Sequence, residues 1–171
     1  IEISKRCPRL QKVEFVSTVG VGGRWRGPLP ERWIDEPREF HNTYEASKAE
    51  AEALIRREVE AGFPATVHRP SMVVGDSHSG AVIHFQIFYF ICEFLSGMRT
   101  FGLYPKLGDA TLDIVPNDYV AAAIVAASRD PTTAGGIFHL CSGPAHAVRL
   151  TELRERVREV FRQGGLMGWT P

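Results

Sequence analysis

The residues with the clearest chemical potential lie in one stretch, "EFHNTYEASKAEAEAL", positions 39 to 54. Tyr44 and Lys48 are four apart. On an α-helix that spacing puts both side chains on one face, about 6 Å apart along the axis. An ammonium beside a phenol stabilises the phenolate, which makes the phenol a better proton donor near neutral pH. The lysine keeps donors to spare for the hydroxyls of a bound ribose. A carbonyl that receives hydride gathers negative charge on oxygen, and a second hydroxyl beside the phenol would stabilise it. Ser17 and Thr18 are the candidates, because they close an apolar strand at the rim where open α/β sheets bind ligands. Carbonyl reduction by an oxidoreductase is the chemistry this set suits.

The elements that must position these groups follow from pattern. "VEFVS" predicts a strand over Val13 to Ser17, closed by glycines. A long loop punctuated by Pro28, Pro30 and Pro37 follows. The helix bearing Tyr44 starts at Asn42 or Thr43, either of which suits a cap, and runs to about Glu60, with Gly62 and Pro64 as stops. "PATVHRPSMVVG" predicts a second strand ending near Pro70, and residues 81–97 another helix. "DIVPNDYVAAAIVAAS" holds a short extended piece, then a helix capped by Asn117 or Asp118. "GGIFHLCSG" predicts a third strand, and "RLTELRERVREVFRQG" a final amphipathic helix capped by Thr151.

This alternation predicts an α/β fold, a parallel sheet with helices on both faces. A dinucleotide-binding sheet normally has two βαβαβ halves, the first carrying the phosphate-binding glycines. The order here fits the second half of a Rossmann-like doubly wound parallel sheet plus a small, largely helical substrate-binding region. Residues 1–80 are assigned to the catalytic half of the dinucleotide-binding domain. Residues 81–171 are mostly the substrate-binding region, with a returning strand near 137–141.

Gly20, Gly22 and Gly23 follow a strand and invite a phosphate-loop reading. Such a loop needs a helix to begin at once and present its free N–H groups. Trp25, Gly27, Pro28 and Pro30 argue against one, so the glycines are expected to turn the chain sharply beside a ligand. Twenty basic residues balance twenty acidic ones, which removes the electrostatic case for nucleic acid or an anionic membrane as main partner. The apolar run at 81–97 is shorter than the roughly 20 residues of a spanning helix and carries His84, Gln86 and Glu93. No membrane span is expected. Cys7, Cys92 and Cys141 are scattered, which favours a reducing, cytoplasmic setting, and the six histidines have no metal-ligand spacing. The aromatic run Phe85, Phe88, Tyr89, Phe90 and Phe94 serves either core packing or an acyl-chain pocket.

Four segments, "FVSTVGVGG", "NTYEASKAEAE", "VHRPSMVVGDSHSG" and "LDIVPNDYVAAAI", resemble the second half of an extended short-chain dehydrogenase/reductase. They are most similar to the thioester-reductase-like branch, which includes fatty acyl-CoA reductases ("male sterility" proteins) and the reductase domains of carboxylic acid reductases and peptide synthetases. The resemblance implies NADP (or NAD) as cofactor and an acyl thioester as substrate, reduced to aldehyde or alcohol. It implies Tyr44 as proton donor and Lys48 as its partner and ribose ligand. Thr18 would hold the carbonyl oxygen, with Ser17 the second choice, and Pro70, Ser71 and Val73 would pass by the nicotinamide. The same fold would also suit a nucleotide-sugar epimerase or dehydratase, or a hydroxysteroid-like dehydrogenase. A non-catalytic dinucleotide-sensing module is the rival from another class. The glycine-rich half of the family pattern is missing, so the sequence reads as an excerpt that is inactive alone. It is expected to pair with that half or to form a homo-oligomer, with Ala46, Ala49 and Ala53 permitting close helix approach.

Overall fold

The structure is a computed structural model and describes residues 1–165. Its contacts divide the chain into two compact units, Ile1–Ser71 with Asp118–Cys141, and Met72–Asn117 with Ser142–Pro171. The division thus falls between Ser71 and Met72 rather than near residue 80, and Asp118–Cys141 rejoins the first unit.

The first unit opens with a one-turn helix, α1 (Glu2–Lys5), and is organised by three parallel strands. These are β1 (Val13–Val16), β2 (Ala65–Pro70) and β6 (Ile137–Leu140), in the order β1-β2-β6, with Val13 opposite Ala65 and Val67 opposite Ile137. Every residue of β2 is buried, as expected for the central strand of a parallel sheet covered on both faces. One face is covered by α2 (Thr43–Glu60), which sets Ile55 against Ala65, Val67 and Ile137 and against the flanking Val13, Phe15 and Trp33. The opposite face meets the end of α4 (Asn117–Arg129): the Thr66 hydroxyl donates to the Thr133 carbonyl just beyond it, at 3.0 Å. Lys12 ties β1 to the same place, its Nζ donating to the Ala127 and Asp130 carbonyls. The carboxylate of Glu31 accepts from the backbone N–H of His139, capping an edge amide of β6.

The sequence explains α2 turn by turn. Asn42 caps it, its Oδ1 accepting from Glu45 N at 2.9 Å, while the Glu45 carboxylate turns back to His41 N. Two otherwise unpaired amides of the first turn region are thereby satisfied. Alanine-rich turns favour the helical interior. At the far end Gly62 adopts φ 90°, with Gly62 N bonded to Val59 O and Phe63 N to Glu58 O, a glycine-terminated Schellman closure.

In the second unit β3 (Met72–Val74) runs parallel to β5 (Ile114–Pro116), and β4 (Thr111–Leu112) antiparallel to β7 (Val148–Arg149). Helix α3 (Ile87–Ser96) packs on α5 (Leu150–Gln163) through Leu95, Leu153 and Val157, with Phe88, Ile91 and Cys92 around them. Three expectations are corrected here. The helix expected over 81–97 begins only at Ile87, because Ala81 spends its carbonyl on Asp76 N and closes a loop instead. Thr151 lies inside the first turn of α5, not at its cap; the cap position is Arg149, fixed as the last residue of β7. Asn117 and Asp118 both belong to the first turn of α4, since β5 runs into that helix without a linker. No helix of the described residues is long and apolar enough to cross a membrane.

Candidate active site

The site is built at the carboxyl end of β1. Ser17 extends the strand's pairing, its N–H donating to the His68 carbonyl at 2.7 Å. Thr18 then caps a single 3-10 turn over Val19–Gly22, its Oγ1 accepting from Gly20 N at 3.1 Å. That turn is more helix than the sequence led one to expect, yet no α-helix follows it. The glycines serve close approach. A Cβ on Gly20 would lie 3.2 Å from Glu45 Cγ of α2. One on Gly23, whose φ is +55°, would lie 2.2 Å from the Glu39 carbonyl oxygen, so only glycine fits.

Tyr44 and Lys48 occupy one face of α2. The Lys48 ammonium lies 6.0 Å from the centre of the Tyr44 ring and 5.8 Å from that of Phe15. It donates to the Val16 carbonyl at 3.2 Å, which anchors the lysine at the strand end and uses one of its three donors. Tyr44 is 56% exposed, so a ligand could reach its phenol. The Thr18 hydroxyl oxygen is already an acceptor, which leaves its O–H free to donate. Ser17 differs: it is 3% exposed and its Oγ has no hydrogen-bond partner.

At the end of β2, Pro70 is buried and Ser71 N donates to the Leu140 carbonyl at 3.0 Å. The Ser71 hydroxyl, like that of Ser17, is buried without a partner. Val73 belongs to the second unit, in β3, where with Val74, His84, Gln86, Tyr89 and Asn117 it lines a cavity of about 370 Å³. Within that unit the aromatic run divides. Phe88 joins the α3–α5 core, and the Tyr89 hydroxyl accepts from Gly75 N, while Phe85, Phe90 and Phe94 are exposed. Among the described residues no cluster of His, Cys, Asp or Glu is arranged to hold a metal.

Sequence reading missed the cluster around Arg69. This guanidinium is fully buried, and each of its five N–H groups has a partner. Nε and Nη2 bind the Glu52 carboxylate at 2.9 and 2.7 Å. Nη1 and Nη2 also reach the Pro30 and Arg32 carbonyls at 3.1 Å each, and Nη1 meets His139 Nε2 at 3.4 Å. Burial, followed by the Arg69 charge, pushes His139 below the usual imidazole range, in keeping with an accepting Nε2. The available signal was the position of Glu52, one turn beyond Lys48 on the same helix face.

An NAD-binding family described as Male sterility protein matches residues 1–124. The non-canonical nonribosomal peptide synthetase FrzA of Cladobotryum sp is 32% identical over 151 residues, 83% of this chain and 14% of FrzA. The L-2-aminoadipate reductase of Schizosaccharomyces pombe is 32% identical over 63% of this chain and 7% of its own length. Among solved structures, the terminal R domain of the myxalamid PKS-NRPS biosynthetic pathway superposes with a TM-score of 0.68 at 36% identity, covering 86% of this chain and 36% of that one. A Bacillus anthracis dTDP-glucose 4,6-dehydratase superposes with a TM-score of 0.67 at 20% identity, over 94% of this chain and 49% of that one, a likeness of fold. The chain therefore spans a small part of these synthetases and reductases, and about a third of the R domain. With nearly three quarters of its residues inside the matched region, it belongs to the male sterility protein family.

Proposed function

We propose that the chain is the catalytic half of an NAD(P)H-dependent reductase of acyl thioesters, acting within a longer protein. The observation that carries this reading is the Tyr44–Lys48 pair, held at the carboxyl end of β1 by the Lys48–Val16 bond. The relatives are peptide synthetases and L-2-aminoadipate reductases, and solved neighbours include enzymes complexed with NADPH or NAD. The chain's own residues fit the nicotinamide end of such a cofactor. The buried hydroxyls of Ser17 and Ser71 lack partners at two adjacent strand ends, a state that native proteins rarely leave unexplained. Lys48 keeps two donors for ribose hydroxyls.

When bound, a reduced nicotinamide supplies hydride to the thioester carbonyl carbon. Thr18 donates its O–H to the developing oxyanion, and Tyr44 donates its phenolic proton to the same oxygen. Lys48 stabilises the phenolate that results. The protonated adduct is a hemithioacetal; its C–S bond breaks to give an aldehyde and a free thiol, with the hydroxyl proton passing to sulfur. Pro70, Ser71 and Val73 remain the proposed contacts of the nicotinamide. The complete protein, given an acyl-coenzyme A thioester and NADPH or NADH, should release one thiol per aldehyde formed. Conversion of a nucleotide sugar without thiol release would replace this reading with that of an epimerase or dehydratase.

A further inference from the structure

We infer that Glu52 and Arg69 are positioning residues for the proton donor. The inference rests on the catalytic reading of Tyr44 and Lys48. Tyr44, Lys48 and Glu52 follow at four-residue steps along one face of α2, so whatever fixes Glu52 also fixes how that face is turned toward the sheet. Both Glu52 carboxylate oxygens are held by Arg69, itself in β2 and next in chain to Pro70. A bidentate guanidinium–carboxylate pair constrains distance and rotation together. The other Arg69 donors grip the Pro30 and Arg32 carbonyls and His139 of β6, so one side chain locks α2, two strands and the loop between β1 and α2.

The cost of such a device explains why it would be kept for geometry. A buried ion pair contributes little net stability over an apolar pair of the same shape. Surface pairs elsewhere on α2, such as Arg56 with Glu60, hold the helix without any charge in the interior. Arg69 and Glu52 instead join the helix to the strand whose end carries the proposed nicotinamide contacts. Neither touches the reacting atoms. Their effect is on where the Tyr44 phenol sits, and a displacement of about 1 Å in a catalytic group can cost up to roughly 100-fold in rate.

The test is steady-state reduction of an acyl-coenzyme A thioester by the complete protein. Glu52→Asp keeps the charge and draws the carboxylate back by one methylene. It should lower kcat at least about tenfold while the KM for dinucleotide stays within about twofold. On a Tyr44→Phe background the same change should cost the slow residual rate nothing further, because the displaced donor is already gone. Unchanged kcat in folded Glu52→Asp, with Tyr44→Phe inactive, would overturn the positioning role and leave the catalytic reading standing. A full multiplicative loss on the Tyr44→Phe background would reduce the pair to a structural one. Full activity of Tyr44→Phe by itself would remove the catalytic reading, and this inference with it. If Glu52→Asp fails to fold, Arg69→Lys is read by the same criteria.

Discussion

Lys12 offers the sharpest test of how the sheet unit is held together. Its side chain is 6% exposed, and its ammonium has four partners: the Ala127 carbonyl at 2.5 Å, the Asp130 carbonyl at 2.9 Å, Thr133 Oγ1 at 2.5 Å and Glu14 Oε1 at 3.0 Å. A positive charge thus sits on the last carbonyls of α4, where the helix dipole favours it, and balances a half-buried carboxylate. Replacement by Met keeps the length and removes the charge. Glu14 would then retain only the His68 Nε2 contact at 2.6 Å, and the α4 carbonyls would lose their donor. Breaking a buried pair by deleting one partner costs about 3–5 kcal/mol. With an m-value of about 2 kcal/mol/M, the urea midpoint should fall by roughly 1.5–2.5 M. Removing the stranded charge as well, in Lys12→Met/Glu14→Gln, should recover part of that loss. A shift below about 1 kcal/mol for Lys12→Met would put the contact in the class of exposed pairs, and additive losses in the double variant would refute the explanation by uncompensated charge.

Two further outcomes are expected. Thr18→Val should slow reduction by about 100-fold or more, the usual effect of losing one oxyanion donor, whereas Ser17→Ala should change kcat by less than about threefold, because its hydroxyl is buried and the oxyanion donor is assigned to Thr18; kinetics of the two variants in the complete protein would decide between them. His139 is held below its ordinary pKa by burial and then by Arg69, so the folded state prefers it neutral. The stability this contributes is present above the unfolded imidazole value of about 6.5 and is lost as pH falls through the folded value. His139→Gln keeps an acceptor and does not titrate, so its urea midpoint should drop less than that of the parent between pH 7 and pH 5. Equal drops would contradict the assignment.

What was legible in the sequence was what local chemistry decides. Asn42, Glu45 and Gly62 mark the ends of α2 through bonds spanning a few residues, and the Tyr44–Lys48 relation follows from helical geometry alone. The stretch ending near Pro70 was legible as a strand, but not as the fully buried central one, because Thr66, His68 and Arg69 are polar and owe their burial to partners elsewhere in the chain. Features set by distant partners were not legible. Nothing near position 69 says that its guanidinium will be met by a carboxylate 17 residues back, a carbonyl 39 residues back and an imidazole 70 residues on. The late start of α3 depends on Ala81 being claimed by Asp76, and the start of α5 on the pairing of β7. Hydrophobicity over 81–97 carries neither fact. Thr18 was legible as a strand-end hydroxyl but not as the cap of a 3-10 turn, in which its oxygen accepts from Gly20 N and its O–H is left to donate.

The proton-donor role of Tyr44 is tested most directly by Tyr44→Phe in the complete protein, with thiol release and dinucleotide affinity measured side by side. Loss of a general acid predicts a fall in kcat of at least about 100-fold, with the dissociation constant for NADPH or NADH within about threefold of the parent. A variant that still releases thiol within about threefold of the parental rate would contradict the assignment of the phenol as proton donor.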